Sequence, residues 1–273
     1  ALFHVPAPVM IKKESGDFVG RGMSFFMIGG ELARTLGPLT VIGAVSVWGF
    51  SGIWRLIFPG IAASVFLFFR IRSIPISREV KNIQPTATPL ENARKFSGFF
   101  LTIFMFLLCQ SSMKSALVAY LPTYLNTEGQ SLWSGGISLS IFQTSGVFGT
   151  LLAGNISDLI GRKKTLLFSS VAAPIFMLLF LTVPSLFSMF FLVLTGITLF
   201  ASGPVLLAFV QDKAADSPSF FNGIHMTVTF ITGAITIFLV GFISDITSME
   251  HAFFFSAGIA AFSVLFVWRL PSK

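Results

Sequence analysis

Glu31 and Arg34 stand three residues apart within a mostly apolar run, a spacing that puts a carboxylate and a guanidinium on one helix face. Glu31 lies about nine residues into a run opening at Gly22, roughly 14 Å deep if that run crosses a bilayer. A charge at that depth costs about 2.5 to 3.5 kcal/mol, so such residues face a cavity or a partner. Two readings stay open: the pair handles substrate or protons, or it neutralises itself and locks two helices together. Gln110 and Gln143 fall at similar depths in other runs. Their amides suit a polar ligand, or they hold helices together at about 0.6 to 2 kcal/mol each. Lys114, a turn beyond Gln110, is expected nearer the membrane surface, where it either snorkels or reaches a ligand.

Other chemistries find no residues. His4, His225 and His251 lie in separate segments without companion ligands at metal spacing, so no metal site is expected. There is no Gly-x-x-x-x-Gly-Lys-Ser/Thr loop for ATP, no Gly-x-Ser-x-Gly and no His-Glu-x-x-His. The expectation is therefore a non-enzyme without cofactors. The single cysteine, Cys109, sits in an apolar run and excludes a disulfide scaffold.

These residues must be positioned by membrane helices. Of 273 residues, 54% are hydrophobic and 11% charged, with mean hydropathy +0.85, against about 25% charged in soluble domains. The apolar runs are continuous and do not alternate, which argues against a β-barrel. Eight spans are expected, near 22–48, 52–69, 96–120, 132–155, 165–183, 186–210, 221–244 and 251–268. Gly49 to Gly52, Pro122, Gly129, Pro184 and Pro218 mark the turns. Small residues recur every fourth position at Gly29, Ala33 and Gly37, and at Ser145, Gly149 and Ala153, a spacing that predicts close helix contacts.

The net charge of +7 would suit a nucleic-acid binder only if the basic residues shared a solvated face. Instead, fifteen of the eighteen lysines and arginines fall in alternate loops on one side. Arg34, Arg55 and Lys114 lie within spans. This bias places both ends in the cytoplasm, and it sets aside Asn155-Ile-Ser157 as a glycosylation acceptor. Residues 71–95 read as a cytoplasmic linker between a two-helix remnant, 1–70, and a six-helix half, 96–273.

The strongest local pattern is Gly154-Asn-Ile-Ser-Asp158-Leu-Ile-Gly161-Arg162-Lys163-Lys164, in a short turn between two spans. An acid at one helix end can cap the next helix's N-terminus or pair with arginine across a moving interface, while the basic run suits anionic headgroups. The turn resembles the signature loop of the major facilitator superfamily, with Leu159 where that pattern often has a basic residue. Gly29-Gly30-Glu31 through Gly37-Pro38, with Gly43 beyond, is similar to the fifth span of drug-extruding members. Phe3-His4-Val-Pro6, Met23 to Glu31, Leu121-Pro122-Thr-Tyr124-Leu125 and Val210-Gln211-Asp212 together resemble the fosmidomycin-resistance type of bacterial carrier.

The resemblance implies an all-α polytopic membrane protein with two six-helix halves and alternating access by rocking. The chain opens without Met, at Ala1-Leu-Phe-His4, and is expected to hold spans five to twelve of twelve. It implies a monomeric drug-efflux antiporter of the bacterial inner membrane, whose partners are a small-molecule substrate, protons and the lipid bilayer. Glu31, Arg34, Gln110, Lys114 and Gln143 are the candidates for substrate or proton handling; Gly154, Asp158, Gly161, Arg162 and Lys163 form the gating loop. An uptake symporter of the same fold and an inactive truncated gene product are the alternatives.

Overall fold

The computed structural model describes residues 6–72, 91, 94–213 and 217–270. His4 and most of the expected linker lie outside them. The described chain is helical throughout. Helix α1 (Pro6–Ser15) leads into α2 (Val19–Trp48), and a 3-10 stretch, Phe50–Leu56, joins α2 to α3 (Ile57–Ile71). Next come α4 (Ser97–Ser115), a π turn at Ala116–Tyr120 and α5 (Leu121–Thr127). Helices α6 (Leu132–Ile160), α7 (Arg162–Thr182), α8 (Ser185–Lys213), α9 (Pro218–Ile246), α10 (Met249–Ala261) and α11 (Ser263–Arg269) complete the chain.

Seven stretches among the described residues are long and apolar enough to cross a membrane; α4 with α5, and α10 with α11, each count as one. Helix α2, the first expected span, is long enough at 30 residues but more polar, with Arg21, Glu31 and Arg34 along it. The helix ends follow local chemistry. Ser131 accepts from the Ser134 amide to open α6, and Ser248 accepts from that of His251 to open α10. Between α6 and α7 the chain reverses at Gly161, whose φ of 98° favours glycine.

Pro122 departs from expectation. It does not end its span, because it falls in the first turn of α5, where proline's missing N–H is no loss. Helical structure therefore continues to Thr127.

The stripe on α6 packs as expected: a Cβ at Gly149 would meet the backbone of Ile197 on α8, and Ser145 fills the space at Gly196. The stripe on α2 does not, since a Cβ at Gly29 or Gly37 would meet nothing within 4 Å. That face of α2 points away from the helices that follow. One core gathers Met113, Leu117, Phe142, Met177 and Phe253; a second gathers Ile103, Phe106, Leu166, Leu206 and Val267. Helix α2 joins through Val19 and Met23 packed on Leu207 and Ala208. Helix α3 contrasts with all of these, exposing Phe58, Ile61, Phe66, Phe68 and Phe69.

Candidate functional site

Helix α2 carries Glu31 and Arg34 near its midpoint. The Glu31 side chain is 4% exposed and that of Arg34 59%, so the carboxylate turns inward while the guanidinium stays open. Arg34 Nη1 donates to Glu31 Oε1 at 2.7 Å. Lys114 Nζ, from α4, stands 3.6 Å from the same oxygen and 4.2 Å from the centroid of the Phe200 ring on α8, a cation–π contact. Thr35 Oγ1 donates back to the Glu31 carbonyl at 3.0 Å. Two cations thus share one carboxylate oxygen, and the cluster carries one positive charge in excess when all three groups are ionised. Among the described residues, Glu31 Oε2 has no hydrogen-bond partner.

Of the two glutamines, Gln143 lies with Arg34 along a groove between α2, α6 and α8. Gln110 faces elsewhere: its Nε2 donates to Ser263 Oγ of α11 at 2.8 Å and lies 3.5 Å from Ser170 Oγ of α7. The structure therefore brings Glu31, Arg34, Lys114 and Gln143 to one region and leaves Gln110 out, tying helices together instead. Depth alone put Gln110 with the others; helix rotation separates it. His251 shares a hydrogen bond with Ser248 at the start of α10, and His225 is buried on α9.

The loop that carries Asp158 and Arg162 forms a clamp at the basic end. Asp158, at the end of α6, accepts from the amide of Gly20 at 3.0 Å and from that of Arg21 at 2.8 Å. A carboxylate thus caps the first turn of α2, where the unpaired amides and the helix dipole favour an anion. Arg162 is also buried; its Nη1 donates to Asp158 and to Ser157 Oγ, and its Nε reaches Asp212 of α8 at 3.3 Å. Beside it, a Cβ at Gly154 would strike the Gly20 carbonyl and Ser24 Oγ, so the two backbones touch only because residue 154 is glycine. Lys163 Nζ donates to the carbonyls of Trp268 and Leu270, at 2.9 and 2.7 Å, fastening α7 to the end of α11. Lys12 of α1 donates to the Gln211 carbonyl of α8.

Sequence reasoning found the clamp's acid and arginine but not its receiving end, Gly20 and Arg21, because capping of a distant helix leaves no local pattern. Phe200 was likewise hidden among 34 phenylalanines. Asp212 lay in a segment already singled out by resemblance, without a role.

Membrane-length helices that hold a charged cluster at mid-depth and a hydrogen-bonded clamp at one end make up a multi-pass membrane transport protein. The chain belongs to the Major Facilitator Superfamily, whose family model matches residues 1–237 and 140–273. It is 23% identical over 279 residues to the fosmidomycin resistance protein of Escherichia coli (strain K12), covering 100% of this chain and 68% of that protein. Among solved structures it resembles FucP, a Major Facilitator Superfamily transporter crystallised in the outward conformation, with a TM-score of 0.75 at 15% identity, covering 98% of this chain and 73% of that one. It also resembles the proton:xylose symporter XylE, with a TM-score of 0.62 at 15% identity, covering 94% of this chain and 65% of that one.

Proposed function

We propose that the chain is the greater part of a secondary carrier that exports small amphipathic or anionic compounds from a bacterial cytoplasm in exchange for protons. One observation carries this: a buried carboxylate at mid-span, Glu31, shares one oxygen with two cations from different helices, Arg34 and Lys114. A group that binds a proton there changes the balance of charge inside the membrane. The similarity to a fosmidomycin resistance protein supports outward movement, and makes fosmidomycin the first compound to test. In this reading the contacts of Asp158 close the basic, cytoplasmic end during one half of an alternating-access cycle. Residues 1–70 belong to an N-terminal half, 71–95 link the halves, and 96–273 form the C-terminal half, with both ends in the cytoplasm. The carrier works as a monomer in the inner membrane.

A second reading, proton-coupled uptake, is favoured by the charge count. Neutralising Glu31 releases both cations for an anion, so that proton and anion would bind together.

The test uses the full-length carrier in vesicles under an imposed pH gradient. Glu31→Gln is expected to abolish proton-driven movement while substrate exchange without a gradient persists. Proton-driven transport surviving in the double variant Glu31→Gln, Arg34→Gln removes Glu31 as the coupling group. The direction of movement in the unaltered carrier separates export from uptake.

A further inference from the structure

The groove beside the charged cluster has a shape and chemistry of its own. It holds about 790 Å³ between α2, α6 and α8, within the range of about 300 to 1,000 Å³ that takes drug-sized ligands. Its lining is mostly apolar, with Ile137, Ile141 and Phe148 of α6 exposed along it. Its polar lining comes from Arg34 and Thr35 of α2 and from Ser140, Gln143, Thr144 and Ser145 of α6, with Arg34 the one charged group among them. Arg34 gives one N–H of its five to Glu31, and its side chain, 59% exposed, lines the groove. Glu31 is also held by Lys114, so an anion that draws Arg34 away does not strand the carboxylate.

Depth decides what kind of anion fits. Arg34 is the sixteenth of the 30 residues of α2, about 22 Å from the helix start. Lys114 is the eighteenth of the 31 residues of its span. In a bilayer crossed by these helices, a group at mid-helix lies about 15 Å from either headgroup layer. A bilayer phospholipid keeps its phosphate at the interface and does not reach there. A small amphiphile in transit does.

We infer that this groove is a binding site for amphipathic organic anions, with the anionic group on Arg34 and the apolar body along Ile137, Ile141 and Phe148. The inference rests on the carrier reading above and names the substrate class and its anchor. It assigns Arg34 the ligand contact and leaves Glu31 as that residue's counter-ion.

Decylphosphonate serves as the probe, with the full-length carrier in discs of neutral phosphatidylcholine. Saturable binding is expected, weakened at least tenfold by Arg34→Gln and less by Arg34→Lys. Decanol at equal concentration should fail to compete. Ile141→Ser, an exposed position that leaves the fold intact, should weaken decylphosphonate but not methylphosphonate, which separates the apolar contact from the ionic one. Absence of binding, affinity within twofold in Arg34→Gln, or equal competition by decanol overturns the site. Loss of the probe when phosphatidylglycerol replaces part of the disc lipid also overturns it, because the groove is then a lipid site. The carrier reading fails separately: binding that depends on Arg34 with no compound moved in vesicles defeats the reading and leaves the site. Transport indifferent to Arg34→Gln defeats the site and leaves the reading.

Discussion

The first turn of α2 and its middle face the same helix, α6, in opposite ways. At the start, backbone meets backbone at Gly20 and Gly154, and Asp158 takes both leading amides. Half the helix further on, the two part around a groove with Arg34 at its head. The contact residues explain the difference. Glycine and a capping carboxylate let helices close completely, whereas further along Arg34, Gln143 and Thr144 line the space between them.

The most severe way to break the contrast is Gly154→Val. Its side chain would displace the Gly20 carbonyl and Ser24, so transport by the full-length carrier should fall to background while cysteines placed near Gly20 become reactive at the basic end. Asp158→Asn should be milder. Replacing hydrogen bonds to a charged acceptor by neutral ones removes about 1.5 to 3 kcal/mol from the closed state, enough to cut turnover about tenfold while substrate affinity stays within about twofold. A large loss of affinity at normal turnover would assign Asp158 to binding. Next comes the contrast between the glutamines. Gln110→Ala should lower thermal stability by about 1 to 2 kcal/mol through loss of the bond to Ser263, whereas Gln143→Ala should leave stability nearly unchanged and alter transport. The smallest perturbation fixes which end is which. Glu128→Cys should react with a membrane-impermeant maleimide added outside, against a quiet background because Cys109 is buried. Labelling from the cytoplasmic side alone would reverse the orientation.

How far the sequence speaks depends on whether the partners share a helix. Glu31 and Arg34 declare themselves because i and i+3 meet on any helix, and their side chains stand 2.7 Å apart. Lys114 was visible as a charge in an apolar run, yet its turn inward to Glu31 and Phe200 depends on how α2, α4 and α8 cross. Gln110 and Gln143 share a residue type and a depth and differ only in rotation about their helices, which packing decides. Seven of the eight expected spans were legible because a bilayer demands about 20 apolar residues for each crossing; the run that became α2 is helical but more polar. Pro122 was misplaced for the opposite reason: proline breaks a helix or begins one according to what precedes it, and here a π turn precedes it.

That π turn, Ala116–Tyr120, sets the phase of everything beyond it. A π turn accommodates one extra residue without unwinding the helix, and each residue rotates an α-helix by about 100°. Below it, Lys114 addresses Glu31, and Ser115 meets Thr236 of α9 at 2.8 Å. At its last residue Tyr120 reaches the Ile237 carbonyl at 3.1 Å, and beyond it Tyr124 stacks on Phe253 with ring centroids 4.6 Å apart. An uninterrupted α-helix through the same residues would bring one of these sets into register only by swinging the other out. The additional residue therefore works as a spacer in angle, uncoupling the orientation of the charged segment from that of the aromatic one, so that mutations can retune either half of the span without turning the other.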